Sequence, residues 1–155
     1  QKAAKVLEEA GIAPELIYTV EGGAKALAKE KGALTSDRTE EDIDWQYVKA
    51  ADVLGKEGLQ IVDVRDDDTY AEGHLENSLQ VNLKDFANAD SQTALYELAS
   101  EKLNKDEPVY FLCYSGNKCA KTAISVLKDG GFDEKNLFII ENGAKDGDVS
   151  AAFAK

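Results

Sequence analysis

The chain has 155 residues, 43% hydrophobic and 31% charged, with a formal net charge of −12 at neutral pH. That length suits one domain, or one domain with an appendage, and the composition suits a globular α/β or α+β protein. The acidity argues against nucleic acid or an anionic membrane as the main partner, and no apolar run reaches the ~20 residues of a membrane span.

In chain order, residues 2–10 carry helical periodicity, with Val6 and Leu7 on the side to be buried. "LIYTV" (16–20) reads as a short strand and Gly22–Gly23 as a break. Residues 29–44, "KEKGALTSDRTEEDID", are charged and aperiodic and read as a linker. "WQYVKAADVLGKEG" (45–58) sets Val48, Ala51 and Leu54 on one stripe and predicts a helix ended by Gly55 or Gly58. "LQIVDVR" (59–65) is a buried strand, "DDTYAEGH" a short helix or turn, and "SLQVNL" (78–83) a second strand. "TALYELASEKL" (93–103) predicts a helix, "PVYFLC" (108–113) the greasiest strand, "KCAKTAISVLKDGG" (118–131) a helix ended by glycines, and "NLFIIE" (136–141) a last strand. Strands separated by helices of ~10 residues imply crossovers, hence an α/β fold with a mainly parallel sheet covered on both faces. Ligands in such sheets bind beyond the carboxyl ends of the strands, and Cys113 stands at one of them.

An internal repeat accompanies this order. At an offset of 120 that sets Val6 on Val126, residues 3–25 match residues 123–145 at eight of 23 positions. The matches are Ala3, Val6, Leu7, Gly11, Glu21, Gly23, Ala24 and Lys25, against roughly one or two expected by chance. Residues 1–34 therefore read as the remnant of a preceding copy plus a linker, and residues 35–155 as the complete domain. Gln1 is not a natural start, and it falls opposite Lys121, so the sequence reads as beginning inside that earlier copy. Val6, Leu7, Leu16, Ile17 and Val20 are then expected to pack on the complete domain or on another chain.

The chemistry concentrates in "FLCYSGNKCAKT" (111–122), which holds both cysteines. A strand, then Cys-Tyr-Ser-Gly-Asn-Lys, then a helix places the Cys113 thiol before a turn whose N–H groups can point inward. Ser115, Gly116 and Asn117 are residue types that permit such a turn. The helix N-terminus and the Lys118 ammonium favour an anion there, either the thiolate or a persulfide formed on it. An ordinary buried position for Cys113 is the competing reading. Two cysteines six positions apart make no disulfide framework, and the single His74 supports no zinc site of His and Cys ligands. No cofactor is called for.

"IVDVRDDDTYAEGHLENSLQVNL" (61–83) together with "VYFLCYSGNKCAKTAISVLKDGGF" (109–132) closely resembles the rhodanese-like domain, over roughly residues 42–145. The first stretch is similar to that family's Asp-x-Arg strand with its tyrosine and Gly-His signature, the second to its Cys-x-x-Gly-x-(Arg/Lys) loop. The resemblance implies a five-stranded parallel sheet flanked by helices, and sulfane-sulfur transfer through a persulfide on Cys113. Tyr114, Ser115, Gly116, Asn117 and Lys118 would cradle that persulfide. Asp63 and Arg65 would brace the loop or simply bridge strand and turn. His74 is given no catalytic role, and Tyr70, Trp45 and Tyr47 are read as packing. The six-residue span from Cys113 to Lys118 matches sulfurtransferases; related phosphatases use one residue more and an arginine fork.

Departures from the family pattern accompany the match. Lys118 stands where arginine is commoner, and Cys119 where serine or alanine is usual. The family's glycines and tryptophan after the last strand are reduced to Gly143. Expected partners are a small sulfur donor (thiosulfate, a polysulfide or a persulfide) and a thiol or cyanide acceptor, with neighbouring repeats or self-association through residues 1–34. Two alternatives stay open: a non-enzymatic binding or redox-sensing module, and a dithiol site in which Cys119 is a second working thiol.

Overall fold

Five short runs become strands: β1 (Gln46–Val48), β2 (Gln60–Asp63), β3 (Leu79–Gln80), β4 (Val109–Leu112) and β5 (Leu137–Ile140). In the computed structural model, which describes residues 2–30 and 33–154, they form one sheet in the order β1-β5-β4-β2-β3. Every pairing is parallel, as the alternation of strands and helices predicts. The chain divides after Leu34 into two compact units. The first contains α1 (Lys2–Glu9) and α2 (Gly23–Leu27). The second contains the sheet with α3 (Asp67–Glu72), α4 (Ala89–Lys102), α5 (Lys118–Asp129) and α6 (Gly147–Ala151).

Side chains alternate across a strand, and that period sorts the core into two layers. Val62, Val64, Phe111, Cys113, Leu137 and Ile139 face one way, against Leu95 and Ala99 of α4 and Ala120, Ala123 and Leu127 of α5. Ile61, Leu112 and Ile140 face the other way, against Ala50, Val53, Leu75 and Val149 of α6. Each fully buried aliphatic or aromatic side chain here contributes about 1.5–3 kcal/mol. The sheet is thus covered on both faces, and Cys113 belongs to the face that carries α4 and α5.

Three expectations are corrected. "LIYTV" is not a strand: residues 14–16 make a 3-10 turn and residues 17–20 take no regular structure. Its residue types suit a strand, but among the described residues it has no strand to pair with, and Leu16, Tyr18 and Val20 are exposed. Residues 45–58 are not one helix. Residues 46–48 pair with Phe138–Ile140, and a single 3-10 turn (Ala50–Asp52) follows. The ladder with β5 overrides a helical stripe that was only three residues deep. Residues 29–44 are more than a linker: Ile43 is buried in the core, while Arg38 bonds Ser125 Oγ at 3.1 Å and Asp129 at 2.7 Å. Residues 31 and 32 of that stretch lie outside the described residues. The strand expected over 78–83 shortens to β3, although Val81 and Leu83 still donate to the carbonyls of Asp63 and Val64. Among the described residues no helix is long and apolar enough to cross a membrane.

Candidate active site

Cys113 directly follows β4, at the carboxyl edge of the sheet, and is buried. Its Sγ accepts the backbone N–H of Asn117 at 3.3 Å, so the chain between them wraps around the sulfur. Gly116 makes that wrap possible. Its φ is +65°, and a Cβ there would come within 2.9 Å of the Ile140 carbonyl oxygen. The loop is also held from outside by the segment after β5. Ala144 N–H donates to the Cys113 carbonyl at 2.8 Å, and Lys145 N–H to that of Tyr114 at 3.2 Å. Gly143 (φ +52°) comes just before them, and any Cβ on it would collide with the Cys113 carbonyl. The glycine retained after the last strand is therefore the one the loop packs against. Ser115, Asn117 and Lys118 are exposed, so an approaching molecule meets them first.

Tyr114 fixes the loop to a distant turn. Its hydroxyl accepts the Asp66 N–H at 2.8 Å and donates to the Asp66 carboxylate, joining residues 48 positions apart. Asp66 also caps α3 by accepting from Thr69 N–H at 3.0 Å, and Lys84 Nζ approaches it to 3.3 Å. The Tyr114 hydroxyl, followed by the Thr69 backbone and side chain, holds the Asp66 carboxyl well below the usual carboxylate range. Burial, and then Asp66, push the Tyr114 hydroxyl up to about 12. Lys118 leans over the Phe86 ring, 5.7 Å from its centroid. Cys119 points into the core, where burial first and Cys113 second push its thiol up to about 11. At neutral pH it is held as the unreactive thiol. Both cysteines are free.

The fold brings together Cys113, Tyr114, Gly116 and Asn117, with Lys118 at the rim. It sends Asp63 and Arg65 elsewhere. Asp63 lies one step of the strand alternation away from Val62 and Val64, so its side chain leaves the sheet on the face opposite Cys113. There the Arg65 guanidinium grips both carboxylate oxygens, Nε donating to Oδ1 at 2.9 Å and to Oδ2 at 3.1 Å, and Nη2 to Oδ2 at 2.6 Å. The same guanidinium bonds the Gly73 carbonyl at 2.8 Å and stacks on Phe153. His74 stacks on Tyr70 and bridges by its backbone to Ala154, away from the loop. Asp66 and residues 143–145 were not singled out from the sequence as loop supports. The spacing Asp66-x-x-Thr69, an N-cap pattern, was the local signal for the first.

A family model described as "Rhodanese-like domain" matches residues 47–147. The chain is similar to a thiosulfate sulfurtransferase, GlpE, of Coxiella burnetii, 31% identical over 86 residues, which span 56% of this chain and 65% of that relative. A protein of the same name from Pseudomonas fluorescens is 31% identical over 90 residues, 56% of this chain and 71% of its own length. The chain thus spans less than two thirds of the Coxiella relative. Among solved structures, the crystal structure of a rhodanese-like domain from Anabaena is 25% identical, covers 56% of this chain and 86% of its own, and superposes with a TM-score of 0.44.

Proposed function

The chain belongs to the rhodanese-like domain family, and from that premise we propose that it is a sulfurtransferase that carries sulfane sulfur as a persulfide on Cys113. The observation that carries this reading is the wrapped loop, in which the Asn117 amide already meets Sγ and the residues that follow β5 pin the backbone in place. A loop built in advance to receive an anion costs no reorganisation when the anion forms.

In this reading the Cys113 thiolate attacks the outer sulfur of thiosulfate. A new S–S bond forms as the old one breaks, and sulfite leaves with its electron pair. The outer sulfur, bonded about 2 Å beyond Sγ, is then an anion for the amides of residues 114–118. A thiolate or cyanide attacks that sulfur, and the electron pair of the broken S–S bond returns to Cys113. Lys118 supplies a point charge at the rim rather than a fork. The names of the two relatives support thiosulfate as a donor to try first.

Intact-protein mass spectrometry after incubation with thiosulfate tests the reading. The expected result is a gain of one sulfur atom that maps to Cys113 and is removed by cyanide. A second reading, a binding or redox-sensing module, draws on the burial of Cys113; protein that never gains sulfur from thiosulfate, polysulfide or an organic persulfide favours it.

Residues 1–34 are read as the remnant of another copy of this domain. What supports that reading is backbone geometry at the same 120-residue offset. Gly11 and Gly131 have φ of +88° and +93°, Gly22 and Asn142 of +77° and +60°, and Gly23 and Gly143 of +60° and +52°. Their hydrogen bonds repeat as well: Ile12 N–H to Leu7 and Phe132 N–H to Leu127, both at 3.0 Å.

A further inference from the structure

Beside the loop lies a pocket of about 170 Å³. Its inner wall includes Asn117, Lys118 and Lys121, and its outer wall Arg38, Glu40 and Trp45. Asn117 is also the residue whose amide meets the Cys113 sulfur, so the pocket and the reacting atom share one residue of the loop. The outer wall precedes residues 47–147, the stretch that matches the family, and so lies outside what the family pattern prescribes.

Glu40 is the carboxylate that lines this pocket. Glu40 Oε1 lies 2.8 Å from Lys121 Nζ, which in turn sits 5.4 Å over the Trp45 ring. Burial pulls the Lys121 ammonium down, but Glu40 and the Tyr47 hydroxyl outweigh it and hold it above its ordinary value. The Glu40 side chain is 75% exposed, so it can leave at little cost. Arg38 is already occupied by Asp129 and Ser125. Lys118, by contrast, pairs with no carboxylate among the described residues. The indole N–H of Trp45 is buried with no hydrogen-bond partner among them. Two lysines, one paired with an exposed carboxylate and one that among the described residues meets only the Phe86 ring, therefore line a pocket in a chain of net charge −12.

We propose that this pocket is a subsite for the carboxylate of a small thiol that removes sulfur from Cys113, with Lys118 and Lys121 as its cations and Glu40 as the carboxylate it displaces. The proposal rests on the sulfurtransferase reading above. The space of about 170 Å³ admits a carboxylate on a short stem. The carboxylate takes no part in the electron flow. Its binding positions the thiolate that attacks the outer sulfur, so that remote binding serves the reacting centre.

The full chain, loaded with thiosulfate and freed of excess, is discharged with either mercaptoacetate or 2-mercaptoethanol, thiols of similar size that differ in charge. Lys121→Gln is expected to raise the apparent KM for mercaptoacetate roughly threefold to tenfold and to leave 2-mercaptoethanol unchanged. Glu40→Gln, on an exposed side chain, is expected to lower the KM for mercaptoacetate by a similar factor. Trp45 is the only tryptophan, so its fluorescence reports mercaptoacetate binding to unloaded protein without any turnover. If loading succeeds but neither substitution separates the two thiols, the subsite is overturned. If loading itself fails, the sulfurtransferase reading falls and the Trp45 titration decides the pocket: saturable binding weakened by Lys121→Gln supports it, and no binding overturns it.

Discussion

Cys113 and Cys119 are both buried and free, but their surroundings set them different tasks. An amide meets Cys113, whereas Cys119 sits among core side chains with its thiol pushed up to about 11. Cys113→Ser should abolish sulfur loading and thiosulfate–cyanide turnover while leaving Tm nearly unchanged, because oxygen forms no persulfide and serine is nearly isosteric. Substantial residual turnover would remove Cys113 from the nucleophile's place. Cys119→Ala should keep most of the transfer activity, since a resolving thiol has to be deprotonated to attack. Loss of turnover with loading retained would instead make it a second working thiol. Asp66 offers a pH test at the same scale. Its carboxyl is depressed in the fold, so its ionic contribution is complete above the unfolded value near 3.9 and drains away as pH falls toward the lower folded value. Asp66→Asn should therefore lower Tm at neutral pH, with the gap to the parent narrowing steadily below about pH 4. A gap that stays constant into acid would mean that neutral hydrogen bonds, not the charge, hold Tyr114.

Between elements, the ion pair of Asp63 and Arg65 joins the end of β2 to the turn after α3 and to Phe153 beyond α6. Asp63→Ala leaves a buried guanidinium without its carboxylate and should cost about 3–5 kcal/mol, readable as a fall in the urea midpoint. A change under about 1 kcal/mol would show that Gly73 and Phe153 suffice for Arg65. The elements legible in the sequence are those that announce themselves locally. Val109–Leu112 and Leu137–Ile140 are largely apolar on both faces, as is Ile61–Val64 apart from Asp63, because both faces are covered, and α5 ends where Gly130 and Gly131 stand. β1 is an edge strand with only one neighbour, so its three residues lack that continuous apolar run, and the periodicity of Val48, Ala51 and Leu54 read as helix. "LIYTV" has strand-forming residues, but a strand exists only with a partner. The Cys113 loop was legible because its six residues are consecutive. Its supports were not, because Asp66, Gly143 and Ala144 reach it from other elements. Nor was the wall of Arg38 and Glu40, whose partners lie on α5 some 80 to 90 positions away.

At the scale of the molecule, the residues named at the site all belong to the second unit, and α1 contains no buried residue. Deleting residues 1–34 should leave per-site sulfur transfer and Tm within error of the parent, and should change solubility or self-association, since Val6, Leu16 and Val20 are exposed. A truncated protein that folds but no longer transfers sulfur would place those residues in the working site and end the remnant reading. The sheet order has a consequence in time as well. β1, the first strand to be made, pairs with β5, the last, and the amides that pin the Cys113 backbone come from Ala144 and Lys145. Ribosomes add about 5–20 residues each second, so the roughly thirty residues between Cys113 and its clamp take about 2–6 s to make. During that interval the newborn chain offers an unseated thiol that the finished protein keeps covered, and an oxidant or electrophile has its best access to Cys113 before the domain has closed.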